Sequence, residues 1–150
     1  CNLRPISRGH VRIKSKEFQD YPAITLNYLS TSEDEKVAVT GLKFTRRIMA
    51  ATALQKFKPT ELKPGPEIES DEQLLDAARN LGTTIFHPVG TCKMGNDGMA
   101  VVNDRLQVHG VDNLRVIDAS IMPRISSGNT NAPTVMIAEK GAEFILTGES

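Results

Sequence analysis

Three polar segments of this sequence contain side chains that could carry chemistry. The first is Phe86 to Cys92, where His87 follows the apolar end of a predicted helix and enters a turn at Gly90. Of all side chains, histidine ionises nearest to neutral pH, so His87 is the first candidate for a general acid or base. The alternative is a structural histidine that caps a helix end or is hydrogen-bonded in the core.

The second segment, Ser126 to Thr134, consists of small and polar residues and leads directly into an apolar helix. A helix N-terminus offers unpaired backbone N–H groups and a partial positive charge, and both suit an anion or a developing negative charge. Capping of the helix by Asn131 or a neighbour is an equally good interpretation. The segment therefore predicts either a site for negative charge or an ordinary helix start.

The third segment, Leu114 to Ser120, has the pattern of a buried strand that ends at Asp118. An aspartate in that position can accept hydrogen bonds from the hydroxyls of a ligand, or it can cap the element that follows. Cys92 is interpreted as a buried structural cysteine, with a thiol hydrolase as a third functional hypothesis. No pair of histidines or cysteines has the spacing of zinc ligands, so we expect no metal site.

The elements that position these segments predict an α+β fold. Val11 and Ile24 each lie in an alternating pattern typical of a half-buried strand. A helix is predicted from Ser32 to Phe57, with a capping box formed by Ser32 and Glu35. Its inward-facing stripe is expected to consist of Val37, Gly41, Phe44, Ile48 and Ala51.

Two further helices follow from capping signals. The first is expected from Asp71 to Leu81, with Ser70 as its cap and Gly82 after its end. The second is expected to begin near Pro133 and to run to about Leu146. Because it is apolar on nearly all sides, we expect it to be buried.

Composition narrows the functional classes. The chain has 150 residues, 39% of them hydrophobic, which is enough for one globular domain with a core. Lysine plus arginine equals aspartate plus glutamate at 18 each, which argues against nucleic acid or an anionic membrane as a partner. No apolar run could span a bilayer, and the two cysteines fit a reduced, cytoplasmic setting, although the complete protein could still associate with a membrane. A first residue that is not methionine suggests a fragment.

Taken in order, the three segments resemble the C-terminal signature of the glucose-methanol-choline oxidoreductase family, in its choline dehydrogenase-like form. The motifs that carry the resemblance are His87-Pro88-Val89-Gly90-Thr91-Cys92-Lys93-Met94-Gly95, Leu114-Arg115-Val116-Ile117-Asp118-Ala119-Ser120 and Ser127-Gly128-Asn129-Thr130-Asn131-Ala132-Pro133-Thr134. The resemblance extends over about residues 3–146. It implies the substrate-side domain of a flavoenzyme, with an antiparallel or mixed sheet and flanking helices, over 1–150.

This family uses FAD and oxidises alcohols by moving hydride from carbon to the flavin, while a histidine takes the hydroxyl proton. The resemblance places the catalytic pair on His87 and Asn131, where the Asn131 amide would hold the substrate oxygen. It also implies that Asp118 and Ala119 lie along the ribityl-pyrophosphate part of FAD. The start of the last helix would approach the flavin ring through Ala132, Pro133 and Thr134.

The dinucleotide signature G-x-G-x-x-G is absent from this sequence. The resemblance therefore implies a partner, namely the N-terminal FAD-binding part of the same polypeptide, besides a small alcohol substrate. We expect the chain alone to hold FAD weakly and to have no turnover. The alternative is a stand-alone binding or interaction domain that kept the fold without catalysis.

Overall fold

Helices carry most of the regular structure in the computed structural model, which describes residues 2–148. The chain divides between Thr84 and Ile85 into two units. The first contains a two-stranded antiparallel sheet and three helices, and the second contains short extended segments, a 3-10 helix and the last helix. This combination confirms the predicted α+β class.

The sheet of the first unit consists of β1 (His10–Arg12) and β2 (Ala23–Thr25), with Val11 opposite Ile24. Both strands lie where the alternating pattern predicted them. The prediction that they are half-buried was wrong, because the side chains of Val11 and Ile24 are exposed. Two strands of three residues leave both faces of a sheet open unless another layer covers them.

Helix α1 spans Ser32–Met49 and is capped by Thr31, whose hydroxyl accepts a hydrogen bond from the backbone of Asp34. The predicted capping box at Ser32 was therefore wrong by one residue. The predicted end at Phe57 was also wrong, since the chain is extended at Ala51 before the short helix α2 (Thr52–Gln55). The side chain of Gln55 donates to the Met49 carbonyl at 2.8 Å and so satisfies a carbonyl at the end of α1.

Helix α3 (Asp71–Leu81) has the predicted bounds, and its cap, Ser70, forms a capping box with Gln73. Its Leu74 side chain is 0% exposed, and α3 packs against α1. Ion pairs also join the two helices, between Arg79 and Glu35 and between Lys43 and Asp71. The side of α1 turned to α3 is therefore the one that carries Glu35, Val39 and Lys43.

Asp34 ties the beginning of the chain to α1. Its side chain is 2% exposed and accepts hydrogen bonds from the backbone N–H groups of Ile6 and Ser7, the Ser7 hydroxyl and the Asn2 amide. Burial alone would raise the pKa of Asp34, but the hydrogen bonds from Ser7 and Ile6 outweigh it and leave the pKa below its ordinary value. The carboxylate is therefore held in its charged form.

Arg46 holds the proline-rich segment between α2 and α3. Its guanidinium makes a two-pronged ion pair with Glu61, at 2.9 and 2.7 Å, and donates to the carbonyls of Gly65 and Ile68. The hydrogen bond from Arg46, more than any other contact, places the pKa of Glu61 below its ordinary value. The planar Arg46 guanidinium therefore fixes a segment that has no regular secondary structure.

The second unit is built around one cluster of buried apolar side chains. Its members come from the extended segments, the 3-10 helix (Ala119–Ile121) and helix α4 (Asn131–Thr147), and are Val102, Leu106, Ile121, Met122, Ile137 and Phe144. The predicted strand over 114–118 is reduced to a single bridge between Arg115 and Gln107. Leu106, next to Gln107, adopts a φ of 65°, in the left-handed region. The segment that faces residues 114–118 is therefore not a continuous strand.

Helix α4 begins at Asn131, two residues before the predicted start at Pro133, and ends before Gly148 as expected. The prediction that it is buried was wrong. Ile137, Gly141 and Phe144 face the core, whereas Val135 and Leu146 are exposed, Leu146 at 86%. Within the second unit, only one side of this mainly apolar helix is therefore buried.

Candidate functional site

His87 lies just after a sharp turn at the beginning of the second unit. The preceding Phe86 has a φ of 64°, in the left-handed region that bulky residues seldom adopt, at a cost of about 1–2 kcal/mol. The His87 ring is partly buried, and its Nδ1 atom is buried without a hydrogen-bond partner in the described part of the chain. Buried polar atoms in native proteins almost always have a partner, so this atom marks a place where a contact is missing.

The loop after His87 is fastened to the 3-10 helix. The backbone N–H of Cys92 donates to the Ser120 carbonyl at 3.0 Å, and that of Met94 donates to the Ile121 carbonyl at 2.8 Å. Val89 and Met94 also pack against the apolar cluster. Two of the three segments singled out in the sequence are therefore direct neighbours.

Asp118 caps the 3-10 helix, because its Oδ1 atom accepts a hydrogen bond from the Ser120 backbone at 2.7 Å. This is the capping alternative that the sequence left open. The residue is exposed, and the adjacent Ala119 packs partly against the apolar cluster. Contact of Asp118 and Ala119 with FAD stays a prediction.

The start of α4 has no side-chain cap. Thr130 occupies the cap position with a φ of −88° and a ψ of −4°, and its side chain makes no capping hydrogen bond. Asn131 is the first helical residue and is exposed, so capping by Asn131 was wrong. Ala132 is exposed beside it, Pro133 has no N–H group, and the Thr134 hydroxyl donates to the Thr130 carbonyl at 2.6 Å. The helix start thus keeps the partial positive charge that the sequence predicted.

Ser126 is the first residue of the second segment that the sequence selected, but its type did not mark it out as a candidate by itself. Its Oγ atom is the second buried side-chain atom without a hydrogen-bond partner in the described residues, the first being His87 Nδ1. A serine in a polar run before a helix is typical of a turn, so its residue type gave no reason to single it out. Both unpaired atoms lie within or next to segments that the sequence selected for chemistry.

Helix α4 and the 3-10 helix are held together by close packing. A Cβ atom on Gly141 would lie 2.5 Å from the Ile117 side chain, so glycine is needed for α4 to approach the segment that ends at Asp118. The three segments therefore lie in one unit, and the first segment, the third segment and helix α4 contribute to one apolar cluster. That the side chains of His87 and Asn131 share one substrate oxygen stays a prediction.

Comparison with known proteins identifies the chain. Residues 5–138 match the family model for the C-terminal part of the GMC oxidoreductases. The chain belongs to the GMC (glucose-methanol-choline) oxidoreductase family. The resemblance seen in the sequence is thereby confirmed.

Among GMC relatives, the chain is 49% identical over 146 residues to an alcohol dehydrogenase [acceptor] of Pseudomonas putida. It is 50% identical over 144 residues to an oxygen-dependent choline dehydrogenase of Escherichia coli O17:K52:H18. These alignments cover 97% and 96% of the chain but 26% of each relative. The chain therefore spans about a quarter of the length of these GMC relatives.

Solved GMC structures have the same fold. Pyridoxine 4-oxidase from Mesorbium loti superposes with a TM-score of 0.85 at 35% identity, over 94% of this chain and 28% of that one. An FAD-dependent oxidoreductase from Chaetomium thermophilum superposes with a TM-score of 0.90 at 31% identity, over 97% and 26%. A formate oxidase from Aspergillus oryzae gives 0.90 at 28% identity, over 98% and 26%.

Other candidate groups of the sequence do not form a second site. No three histidine, cysteine, aspartate or glutamate side chains within residues 2–148 come together as metal ligands would. His109 is exposed, and its Nε2 atom contacts the Gly95 carbonyl at 3.0 Å. None of the helices that the structure describes is long and apolar enough to cross a membrane.

Proposed function

We propose that this chain is the substrate-side part of an FAD-dependent alcohol dehydrogenase or oxidase. In this proposal His87 accepts the hydroxyl proton of the alcohol, and the Asn131 amide binds the same oxygen. The observation that carries it is the place of His87 in the GMC family match, in a segment where its Nδ1 atom is buried without a hydrogen-bond partner among residues 2–148. The loop after His87 is hydrogen-bonded to the 3-10 helix and packs on the apolar cluster to which α4 contributes.

The residues of this chain suit one side of an FAD site. The uncapped start of α4 places backbone N–H groups of Asn131 and Ala132 and a partial positive charge beside the segment with Ser126. That charge favours a group that becomes negative during reaction. When bound, FAD would supply the acceptor for the hydride that leaves the alcohol carbon. Pro133, Thr134, Asp118 and Ala119 would complete this side of the site.

In this proposal, side chains of the protein bind the hydroxyl oxygen of the alcohol and accept its proton. Oxidation of R–CH₂OH to R–CHO releases one hydride from carbon and one proton from oxygen. An imidazole can take that proton, whereas an amide cannot, which assigns the base to His87 and the orienting role to Asn131. A positioned base typically contributes about 10²–10⁴-fold to the rate.

The alcohol is proposed to be choline-like or another primary alcohol. Two of the relatives are named for choline and for alcohols, and the structural relatives include a pyridoxine oxidase. A quaternary ammonium group binds best against aromatic faces, and this chain has only 5% aromatic residues and no tryptophan. If choline is the substrate, most of its aromatic contacts therefore come from outside this chain.

The direct test uses the complete polypeptide that contains this chain. It is purified with its flavin and mixed anaerobically with choline, benzyl alcohol and a series of simple primary alcohols. At least one alcohol is expected to bleach the flavin absorbance and to yield the matching aldehyde. A bound flavin that no alcohol reduces would overturn the proposed reaction, and a protein without flavin would instead support the interaction domain.

A further inference from the structure

Ser126 Oγ is a buried hydroxyl to which the proposed reaction assigns no role. Together with His87 Nδ1, it is one of two buried side-chain atoms without a hydrogen-bond partner in the described part of the chain. Leaving such an atom unpaired costs about 1–3 kcal/mol, and native proteins nearly always pair it with a protein group or an ordered water. Both atoms therefore need a partner, and both belong to the second unit.

The backbone brings both residues close to one contact. A Cβ atom on Gly90 would lie 3.2 Å from the Met122 carbonyl oxygen, so the two segments touch at this point. His87 lies three residues before Gly90, and Ser126 lies four residues after Met122. At about 3.6 Å per residue or less, neither residue can lie more than roughly 11–15 Å along the chain from this contact.

The local chain buries one polar atom of each residue while it exposes their neighbours. His87 lies between two exposed residues, Phe86 and Pro88. Ser126 is followed by the exposed Ser127. The two buried atoms are not hydrogen-bonded to each other. A buried water typically makes about three hydrogen bonds to polar groups that lack another partner, so one water between the two atoms would satisfy both.

The chemistry of a histidine base explains what such a link would do. A neutral imidazole carries its proton on one nitrogen and a lone pair on the other. Because Nδ1 of His87 is the buried nitrogen, we assign Nε2 to the alcohol. To accept a proton at Nε2, the ring must hold its own proton on Nδ1, and that N–H group needs an acceptor. A serine hydroxyl supplies an acceptor oxygen either directly or through a water.

We propose that Ser126 is a positioning residue that accepts the hydrogen bond of the His87 Nδ1–H group through one bridging water and so keeps the lone pair of Nε2 directed at the alcohol. The proposal rests on the proposed function, because it concerns the histidine that accepts the hydroxyl proton. That proton ends on Nε2, while the Nδ1 proton stays on the ring. The ring then carries a positive charge, which strengthens the hydrogen bond from Nδ1–H.

The test measures anaerobic flavin reduction in the complete, flavin-loaded polypeptide. The substrate is whichever of choline, benzyl alcohol and the simple primary alcohols reduces the wild-type flavin fastest. Ser126→Ala is expected to slow reduction about 10-fold or more, because a hydrogen bond that stabilises a charged ring is lost. Ser126→Thr keeps a hydroxyl and should stay within about 3-fold of the wild type. Ser127→Ala, an exposed serine of the same segment, is the matched control and should leave the rate unchanged.

Repeating Ser126→Ala in a His87→Ala background decides whether Ser126 acts through the histidine. If it does, the second substitution changes the rate there by less than about 2-fold, because no ring remains to be positioned. This comparison needs no threonine variant, so it stands even if Ser126→Thr fails to fold. Flavin content and the melting midpoint are checked first in every variant.

Two results would overturn the positioning role. One is a wild-type rate for Ser126→Ala. The other is equal slowing by Ser126→Ala in both backgrounds, which a packing role or a direct contact with the alcohol or FAD would produce. The proposed function fails separately, if His87→Ala itself reduces its flavin at the wild-type rate. A slow His87→Ala together with a normal Ser126→Ala would defeat the positioning role alone.

Discussion

His87 and Asn131, the two side chains that the sequence paired, differ in chemistry. Asn131 cannot take a proton, so its contribution is one oriented hydrogen bond to an oxygen that gains negative charge. In the complete protein we expect Asn131→Ala to slow flavin reduction by about 1.5–4 kcal/mol in activation free energy, with FAD still bound. Rapid-mixing spectroscopy measures the rate, and a wild-type rate would exclude Asn131 from the site.

Asp34 allows a prediction about pH. Its pKa in the folded protein lies below the value of about 3.9 that it has in an unfolded chain, because Ser7 and Ile6 hydrogen-bond the charged form in spite of burial. The stability that it contributes is therefore fully present above about pH 4 and is lost as the pH falls through the lowered pKa. We expect Asp34→Asn to reduce hydrogen-exchange protection of the α1 amides about 10-fold or more at pH 7.

Below about pH 4 the stability contributed by the charged carboxylate falls as the pH falls, so the difference between the wild type and Asp34→Asn is expected to shrink. Exchange measured at pH 7 and again near pH 3 gives the comparison, and Glu33→Gln is the control from the same helix turn, with an exposed residue. A difference between the wild type and Asp34→Asn that persists unchanged at the lower pH would contradict this role.

At the scale of elements, the contact between Gly141 and Ile117 fixes how closely α4 approaches the 3-10 helix. Alanine would improve helix propensity by about 1 kcal/mol, but its Cβ atom would lie 2.5 Å from Ile117. The contacted atom is attached directly to the Cβ of a stiff, branched side chain, so we expect the steric clash to outweigh the gain in helix propensity. Gly141→Ala should therefore lower the melting midpoint of the complete protein.

The double variant separates this clash from a general effect on α4. In an Ile117→Ala background the methyl groups that Gly141→Ala would meet are gone, so the added cost of Gly141→Ala should vanish or reverse sign. Equal costs of Gly141→Ala in both backgrounds would show that the two residues do not interact.

The elements that the sequence predicted well are those whose signals are local. Helix α3 has its cap, first turn and stop within one short segment, and its bounds were right. The end of α1 was missed because the Gln55 side chain contacts a carbonyl six residues earlier, and no propensity reveals such a contact. The apolar stripe predicted to face inward (Val37, Gly41, Phe44, Ile48 and Ala51) and helix α4 were assigned to the core, but Phe44 and Ile48 are exposed. Periodicity identifies an apolar face but not the element that covers it.

In the candidate site, too, the sequence predicted what local motifs reveal and did not predict what depends on packing. The motifs pointed to His87, and the structure adds that its Nδ1 atom is buried without a partner. Ser126 lay in a selected segment but was not singled out, because the burial of one hydroxyl depends on the packing of the whole unit. For Asp118 the sequence left two roles open, and only the coordinates show the hydrogen bond to Ser120 that makes it a cap.

In the proposed complete protein, this chain forms one side of a site that a longer polypeptide completes. The chain has no glycine-rich phosphate-binding turn, so we expect the purified 150-residue chain to show no flavin absorbance and to bind added FAD weakly. A visible spectrum and an FAD titration check this, with the complete polypeptide as the control. Tight binding of one FAD per chain would mean that the division of the site is wrong.

Anaerobic flavin reduction by His87→Ala across pH 6 to 9 tests most directly whether His87 is the base of the complete enzyme. Flavin content is checked first, and His109→Ala serves as the matched histidine control because His109 is exposed and its Nε2 atom contacts the Gly95 carbonyl. We expect His87→Ala to slow reduction by at least about 10²-fold while FAD stays bound, and His109→Ala to leave the rate unchanged. Reduction of the His87→Ala flavin at nearly the wild-type rate over this pH range would contradict the assignment.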